Sequence, residues 1–231
     1  MSLSASHHGL FVTGTDTNVG KTTVACALIA AWAHRGVRVG VMKPCETGDG
    51  SDAARLIAAS GRQLPLGQVR PYHFALPLSP QVAAERAGES IDLKRLQTAF
   101  AALAAESDWM VVEGAGGLLV PLTPTVDMAD LAGQFALPLL VVARPGLGTL
   151  HHTRATLEAA QQRGLQVAGF VFSSPDPEPE AEPNAQLISA RTGVAFLGHL
   201  QGAEAPLAVT AQQLERVLAL ESSERLPPSE I

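Results

Sequence analysis

Only two cysteines, Cys26 and Cys45, occur among the 231 residues. Two isolated thiols build neither a disulfide framework nor a zinc site, so a reducing cytoplasm is the expected setting. Positive charge is also in short supply. The formal net charge is −6, which argues against nucleic acid as the main partner, because a phosphate backbone demands clustered lysine and arginine. A local cationic pocket for a small anion is still compatible with that total. No apolar run reaches the ~18 residues of a membrane span, and the opening MSLSASHHG lacks the basic and apolar regions of a secretory signal. Internal repeats are absent. The chain is instead rich in hydrophobic residues, 46% against 16% charged, enough to fill the core of one large α/β domain.

Short apolar runs alternate with stretches of helical period. Leu10–Thr13, Val37–Lys43, Trp109–Gly114, Leu137–Ala143 and Val167–Phe172 read as strands, with Val194–Leu200 a weaker sixth. Their apolar character is continuous, as a parallel sheet covered on both faces requires. Helices are expected over Thr22–Arg35, Asp52–Ala59, Leu93–Ala105, Met128–Phe135, Thr149–Arg163, Ala185–Thr192 and Ala211–Leu220, with Gly36, Gly164 and Gly193 as stops. This alternation implies βαβ units in one doubly wound, mainly parallel sheet. The expected division is a flexible N-terminus over 1–9, one α/β domain over 10–220 and a fraying tail over 221–231. The acidic, proline-rich Pro175–Pro183 is expected to be a mobile loop without a chemical role.

The chemistry concentrates at strand ends. Gly14-Thr15-Asp16-Thr17-Asn18-Val19-Gly20-Lys21-Thr22 follows the first strand and opens the first helix. There, backbone amides and the helix N-terminus face an anion, Lys21 adds charge and the Thr22 hydroxyl can ligate Mg²⁺. Its two glycines stand five residues apart rather than the common four. Such a loop specifies a nucleotide and nothing finer.

Lys43 follows the second strand, in Lys43-Pro44-Cys45-Glu46-Thr47-Gly48, and shares the crevice at the strand C-termini. A second lysine there suits a multiply charged phosphoryl group in transfer; a solvated strand-end lysine is the plain alternative. Glu113 ends the third long strand, where an acid opposite Thr22 would serve Mg²⁺, and Gly114-Ala115-Gly116-Gly117 lets backbone approach a ligand. Asp52 reads equally as a further metal ligand or as an acid favoured by a helix N-terminus. The helix expected to open at Gly148-Thr149-Leu150-His151 offers bare amides to a second anion, such as a carboxylate. His151 and His152 are adjacent and so diverge on a helix; they read as solvated side chains rather than a metal pair.

In order and spacing, Phe11 to Thr17 with Val19 to Thr22, Lys43-Pro44 with Thr47-Gly48, and Val112 to Gly117 resemble the dethiobiotin synthetase family. Ser79-Pro80, Leu147-Gly148 and His152 fit as well, and the resemblance spans roughly residues 10 to 200. It implies a P-loop NTPase architecture and a reaction of 7,8-diaminononanoate with CO₂ and ATP. One amine forms a carbamate, the carbamate attacks the γ-phosphate, and the second amine displaces phosphate to close a ureido ring. The resemblance makes Lys43 the catalytic lysine and Lys21 its partner on the phosphate loop. It makes Thr22, Asp52 and Glu113 the Mg²⁺ ligands. Asn18, Val19, Gly20, Lys21, Thr22 and Thr23, with Glu113, Gly114, Ala115 and Gly116, match nucleotide-binding segments. Thr17, Thr47, Ser79 and Gly148 to His151 match substrate contacts, the last group reaching in from the neighbouring subunit of a homodimer.

Three positions depart from the family pattern. Ser173-Ser174 stands where an asparagine often reads adenine, a proline-containing base contact is missing near Gln201-Gly202, and His151 replaces an asparagine. A switch ATPase of the partitioning or membrane-cycling kind is the main rival, with a small-molecule kinase as a third option. The switch proteins resemble one another in an extra lysine near the loop start, where Thr15 and Asp16 stand here. A membrane-cycling version also wants a basic amphipathic C-terminus, whereas Gln212–Arg225 holds more glutamate than arginine.

Overall fold

The computed structural model describes residues 8–202. The helix expected at Ala211–Leu220, the tail and most of the N-terminal segment lie outside the described residues. Six parallel strands form the main sheet: β1 (Gly9–Gly14), β2 (Val39–Met42), β5 (Trp109–Gly117), β6 (Leu139–Ala143), β7 (Val167–Ser174) and β8 (Phe196–Gln201). Their order is β2-β5-β1-β6-β7-β8. The chain runs to one side of β1 and then to the other, so right-handed crossovers put helices on both faces and open a crevice at the strand C-termini beside β1. Strands this thoroughly covered are continuous apolar runs, and β1, β2 and β6 are buried at every position.

Helices α1 (Lys21–His34), α2 (Asp52–Ser60), α5 (Leu93–Ala105), α6 (Met128–Phe135) and α7 (Thr149–Gln162) agree with the sequence reading to within a residue or so. Their buried stripes are the reason. In α1, Val24, Ala25, Leu28, Ile29 and Trp32 face the sheet, and Trp32 stacks on Trp109 at 5.1 Å. Each large side chain so buried contributes roughly 1.5–3 kcal/mol. Helix α5 is capped by the Asp92 carboxylate, which accepts the Lys94 amide at 2.8 Å.

Several boundaries differ from expectation. Strands β2 and β6 begin two residues late because Val37 and Leu137 still donate backwards, to Trp32 O and Ala132 O, as part of the preceding helix stops. Helix α8 (Ala181–Thr192) starts four residues before the expected Ala185, inside the acidic stretch read as a loop. Pro183 falls in its first turn, where a missing N–H costs nothing. Four short elements were not anticipated: β3 (Cys45–Thr47), β4 (Tyr72–Phe74), α3 (Leu66–Val69) and α4 (Pro80–Ala87). Strands β3 and β4 pair in parallel as a separate two-stranded sheet. Among the described residues, no helix is long and apolar enough to cross a membrane.

Candidate active site

Helix α1 begins at Lys21, and Val24 N–H already donates to Gly20 O at 3.0 Å, so the amides of Lys21, Thr22 and Thr23 lie at its open end. The loop before them is bent by two left-handed residues, Asn18 at φ 58° and Gly20 at φ 95°. Glycine is required at the second, because a side chain there would also collide with Ser173 on β7. Lys21 Nζ donates to Asp16 O at 2.9 Å and folds back over the loop. Asp16 in turn accepts the Thr17 amide and pairs with Arg144 at the end of β6.

Two cavities flank this loop. One, of about 410 Å³, holds Thr17, Lys21, Thr22, Lys43, Thr47, Asp52, Glu113, Ala115 and Gly116. At its floor Lys43 Nζ lies 2.6 Å from Glu113 Oε1 and 2.7 Å from Asp52 Oδ2, with Gly114 O at 3.4 Å. Thr22 Oγ1 donates to the same Glu113 oxygen at 2.8 Å. Residues 22, 52 and 113, from α1, α2 and β5, and residue 43, just after β2, therefore share one hydrogen-bonded cluster, as the strand-end argument required. Asp52 stands in the first turn of α2, as its reading as a helix-start acid expects, and it also pairs with Lys43.

Register explains the placement of Glu113. Val12 pairs with Glu113 and Gly14 with Gly117, so two steps along β1 match four along β5, and Gly114–Gly116 bulge outward beyond a fully buried Glu113. Its Oε2 is buried without a hydrogen-bond partner. An anionic oxygen left so, beside the Thr22 hydroxyl and a second carboxylate, is the hard-oxygen donor set that Mg²⁺ prefers.

The charges are tuned. Burial opposes the charge on Lys43, but Glu113 and Asp52 outweigh it and push the ammonium up to about 12. Burial also opposes the charge of Asp52, yet Lys43 holds its carboxyl below the usual range. Lys21 goes the other way: burial and the nearby Lys43 bring it down to about 8. A bound triphosphate favours the charged lysine, so binding above pH 8 must draw in a proton. Metal-free ATP affinity should therefore fall about fivefold between pH 8 and pH 9, the loss expected for one protonation at that value. Titration calorimetry in buffers of different ionisation heat measures both the affinity and the proton uptake; a flat profile would show Lys21 charged throughout.

The second cavity, of about 580 Å³, lies on the other side of the loop and is lined by Asn18, Gly20, Thr23, Arg144, Gly146, Thr149, His152, Ser173, Ser174 and Glu178, among others. Ser173 and Ser174 are thus brought to the phosphate loop, as expected of a base-side segment. His199, on β8, bonds Ser174 Oγ at 2.8 Å and steadies that wall. Glu178 belongs to the acidic stretch for which no role was expected.

The start of α7 is less open than the sequence suggested. The amides of Thr149, His151 and His152 donate to Gly146 O, Gly148 O and Gly148 O. Of this segment Thr149 lines the second cavity, and neither Gly148–His151 nor Ser79 lines the cavity holding Lys43. Sequence reasoning assigned nothing to Glu46, which lines the cavity next to Asp52, or to Arg70, which pairs with Glu46 from outside that lining. Both thiols are ordinary: burial pushes Cys26 up to about 11 and Cys45 up to about 12.

A parallel sheet with a glycine-bent loop on a helix N-terminus, and a lysine inside it, defines a P-loop nucleotide-binding protein. Solved structures agree on the fold. The MinD cell division protein of Aquifex aeolicus superposes with a TM-score of 0.54 at 13% identity, covering 96% of this chain and all of that one. The signal recognition particle 54 kDa protein of Aeropyrum pernix, solved with GDP, gives 0.53 at 15% over 94% of this chain and 47% of that one. Sequence comparison is more particular. The AAA domain family matches residues 8–205. An ATP-dependent dethiobiotin synthetase of Anaeromyxobacter dehalogenans is 50% identical over 190 residues, 80% of this chain and 85% of that one. One from Bacillus cereus is 41% identical over 199 residues, 83% and 82% of the two chains. The chain belongs to the dethiobiotin synthetase family.

Proposed function

We propose that this protein is an ATP-dependent ligase that carboxylates 7,8-diaminononanoate with CO₂ and closes the ureido ring of dethiobiotin in biotin biosynthesis. The observation that carries the reading is the buried Lys43, held between Glu113 and Asp52 in the cavity that Lys21 and Thr22 also line. Attack of a carbamate anion on a triphosphate brings negative charge onto negative charge, and cations fixed in a water-poor site lower that repulsion. Lys21 and the α1 amides hold the phosphates. Lys43 faces the γ-phosphoryl oxygens as carbamate oxygen attacks phosphorus and ADP leaves. Attack by the second amine on the carbamoyl carbon then expels phosphate. Thr47, at the end of β3, offers its hydroxyl to the diamine. Thr22, Asp52 and Glu113 are the residues that would hold Mg²⁺, which would supply charge neutralisation to the phosphates when bound.

The direct test is incubation of the full chain with ATP, a magnesium salt, labelled bicarbonate and diaminononanoate. Label should enter a stable ring with one ADP formed per ring. ATP hydrolysis without labelled ring would place the protein with the switch ATPases.

Base reading is expected to be loose. Ser173 offers one rotatable hydroxyl in place of an amide donor and a carbonyl acceptor. Loss of one neutral hydrogen bond of ~0.5–1.5 kcal/mol cuts discrimination roughly threefold to tenfold, so CTP or GTP should support appreciable ring formation. Strict selectivity for ATP would assign base reading to backbone groups or to Glu178.

The substrate carboxylate lies at the far end of an apolar chain and needs a holder away from Lys43. Since Gly148–His151 do not line the cavity of their own Lys43, a partner subunit's α7 would fill that role in a twofold dimer. Leu147 is fully exposed and Leu150 partly so, which suits an interface. Sedimentation should find a dimer; a fully active monomer would overturn the shared site.

A further inference from the structure

Asp52 opens a helix that does not cap itself. The N-cap of α2 is Ser51, whose side chain makes no capping bond; its hydroxyl turns to Asp49 instead. The capping oxygen comes from another element. Glu46 Oε1, from the middle of β3, accepts the amides of both Asp52 and Ala53. Its other oxygen, Oε2, accepts from Arg70 Nη1 at 2.9 Å, and that same nitrogen donates to Gly50 O at 2.7 Å. The carboxylate and guanidinium are both largely buried, at 3% and 16% side-chain exposure. His73 on β4 adds a contact from its Nε2 to Gly48 O at 3.1 Å. Gly50 is left-handed at φ 73°, and a Cβ there would meet both Arg70 Nη1 and His73 Nε2 within 3 Å.

The loop from Gly48 to Asp52 is thus clamped from β3, β4 and the residue following α3. A buried ion pair with this geometry is weak support for stability by itself, since desolvation offsets most of its attraction. Its location is informative. Glu46 holds the Asp52 main chain through two amides while Lys43 holds its carboxylate at 2.7 Å, so Glu46 fixes the backbone from which that carboxylate projects.

We propose that Glu46 and Arg70 are positioning residues: Glu46 caps α2 from a separate strand, Arg70 locks Glu46 and the loop, and together they aim Asp52 at the divalent cation. The proposal rests on the metal set named under the proposed function. Outer partners that orient a metal ligand carry about tenfold or more of the metal affinity when removed.

The test measures binding rather than turnover, with Mn²⁺ as the probe. Free Mn²⁺ is followed by electron paramagnetic resonance in the presence of the full chain and ADP, well below each variant's melting temperature. Glu46→Ala should weaken Mn²⁺ about tenfold. Glu46→Gln keeps an oxygen acceptor for the two amides but turns its NH₂ onto Arg70, so it should lose about threefold, well short of the Ala variant. Asp92→Ala, which uncaps the remote helix α5, should lower the melting temperature and leave Mn²⁺ affinity unchanged. Wild-type affinity in Glu46→Ala overturns the proposal. So does a Gln variant as weak as the Ala one, or an equal loss in Asp92→Ala, which would indicate general loosening. If Glu46→Ala does not fold, Arg70→Lys takes its place: an ammonium reaching Glu46 cannot also hold Gly50 O, so a loss of about threefold is expected, and none overturns the proposal. Asp52→Asn separates the two levels. If it binds Mn²⁺ as wild type does, the metal set itself fails and the proposal with it; if it loses affinity while Glu46→Ala does not, only the positioning role fails.

Discussion

Lys43→Ala should lower turnover by about a hundredfold or more while leaving ATP affinity within a few-fold of wild type, as for other preorganised donors aimed at developing charge. In the resting site the ammonium is already satisfied by Glu113 and Asp52. Its contribution therefore grows only when charge accumulates on the transferring phosphoryl group. Two side effects must be kept apart from catalysis. Without Lys43, two carboxylates face each other across a buried gap, so the melting temperature should fall. The pH dependence of that stabilisation is also fixed in sign. Because Lys43 is raised to about 12 from 10.5, its stabilisation is fully present below 10.5 and disappears as pH climbs through 12. Steady-state kinetics at neutral pH, well below the variant's melting temperature, isolates turnover. Unchanged turnover with a raised nucleotide KM would reduce Lys43 to a ground-state contact.

The next largest effects are expected at the two carboxylates. Glu113→Gln and Asp52→Asn should each raise the Mg²⁺ concentration for half-maximal activity, roughly tenfold to a hundredfold, since a neutral amide is a poorer ligand for a hard cation. Glu113 should show the larger change. It is fully buried, and its Oε2 has no other partner to lose. Asp52 is part-exposed, so water can replace some of what it provides. Activity titrated against free Mg²⁺ at saturating nucleotide gives both values. A metal requirement in Asp52→Asn equal to that of wild type would leave Asp52 as a helix-opening acid that pairs with Lys43.

The legible parts of this molecule share a physical character. Six strands and the helices between them could be read because continuous apolar runs and stripes at helical spacing are what a doubly covered sheet demands. Lys21, Thr22, Lys43, Asp52 and Glu113 converge because parallel strands all end on one side, so position along the chain already implied the neighbourhood. The illegible parts lack such periodicity. Strands β3 and β4 are three residues each, too short for any repeat to show. Glu46 and Arg70 meet across 24 positions through that small sheet, and only their contacts distinguish them from surface residues. Pro183 disguised the start of α8 because a proline in the first turn and a proline in a loop leave the same trace in sequence. At α7, glycine and a helix start suggested free amides over Gly148–His151, while Gly146 O takes the amide of Thr149 and Gly148 O that of His151.

The small β3–β4 sheet has a bearing on how such proteins diversify. The six-stranded sheet closes its own hydrogen-bond ladder without it and carries the phosphate loop, Glu113 and Ser173. The stretch from Cys45 to Ala87 carries Thr47 and the clamp behind Asp52. The smaller piece thus answers to both molecules, Thr47 to the acceptor and Asp52, through Glu46, to the metal set proposed for the triphosphate. Substitutions around Thr47 can follow a change of acceptor, while Asp52 and the clamp behind it are held constant by a ligand common to all. Relatives that phosphorylate a different acceptor should differ first between β2 and α5, and grafting that segment, with its internal Glu46–Arg70 pair intact, is the natural unit of redesign.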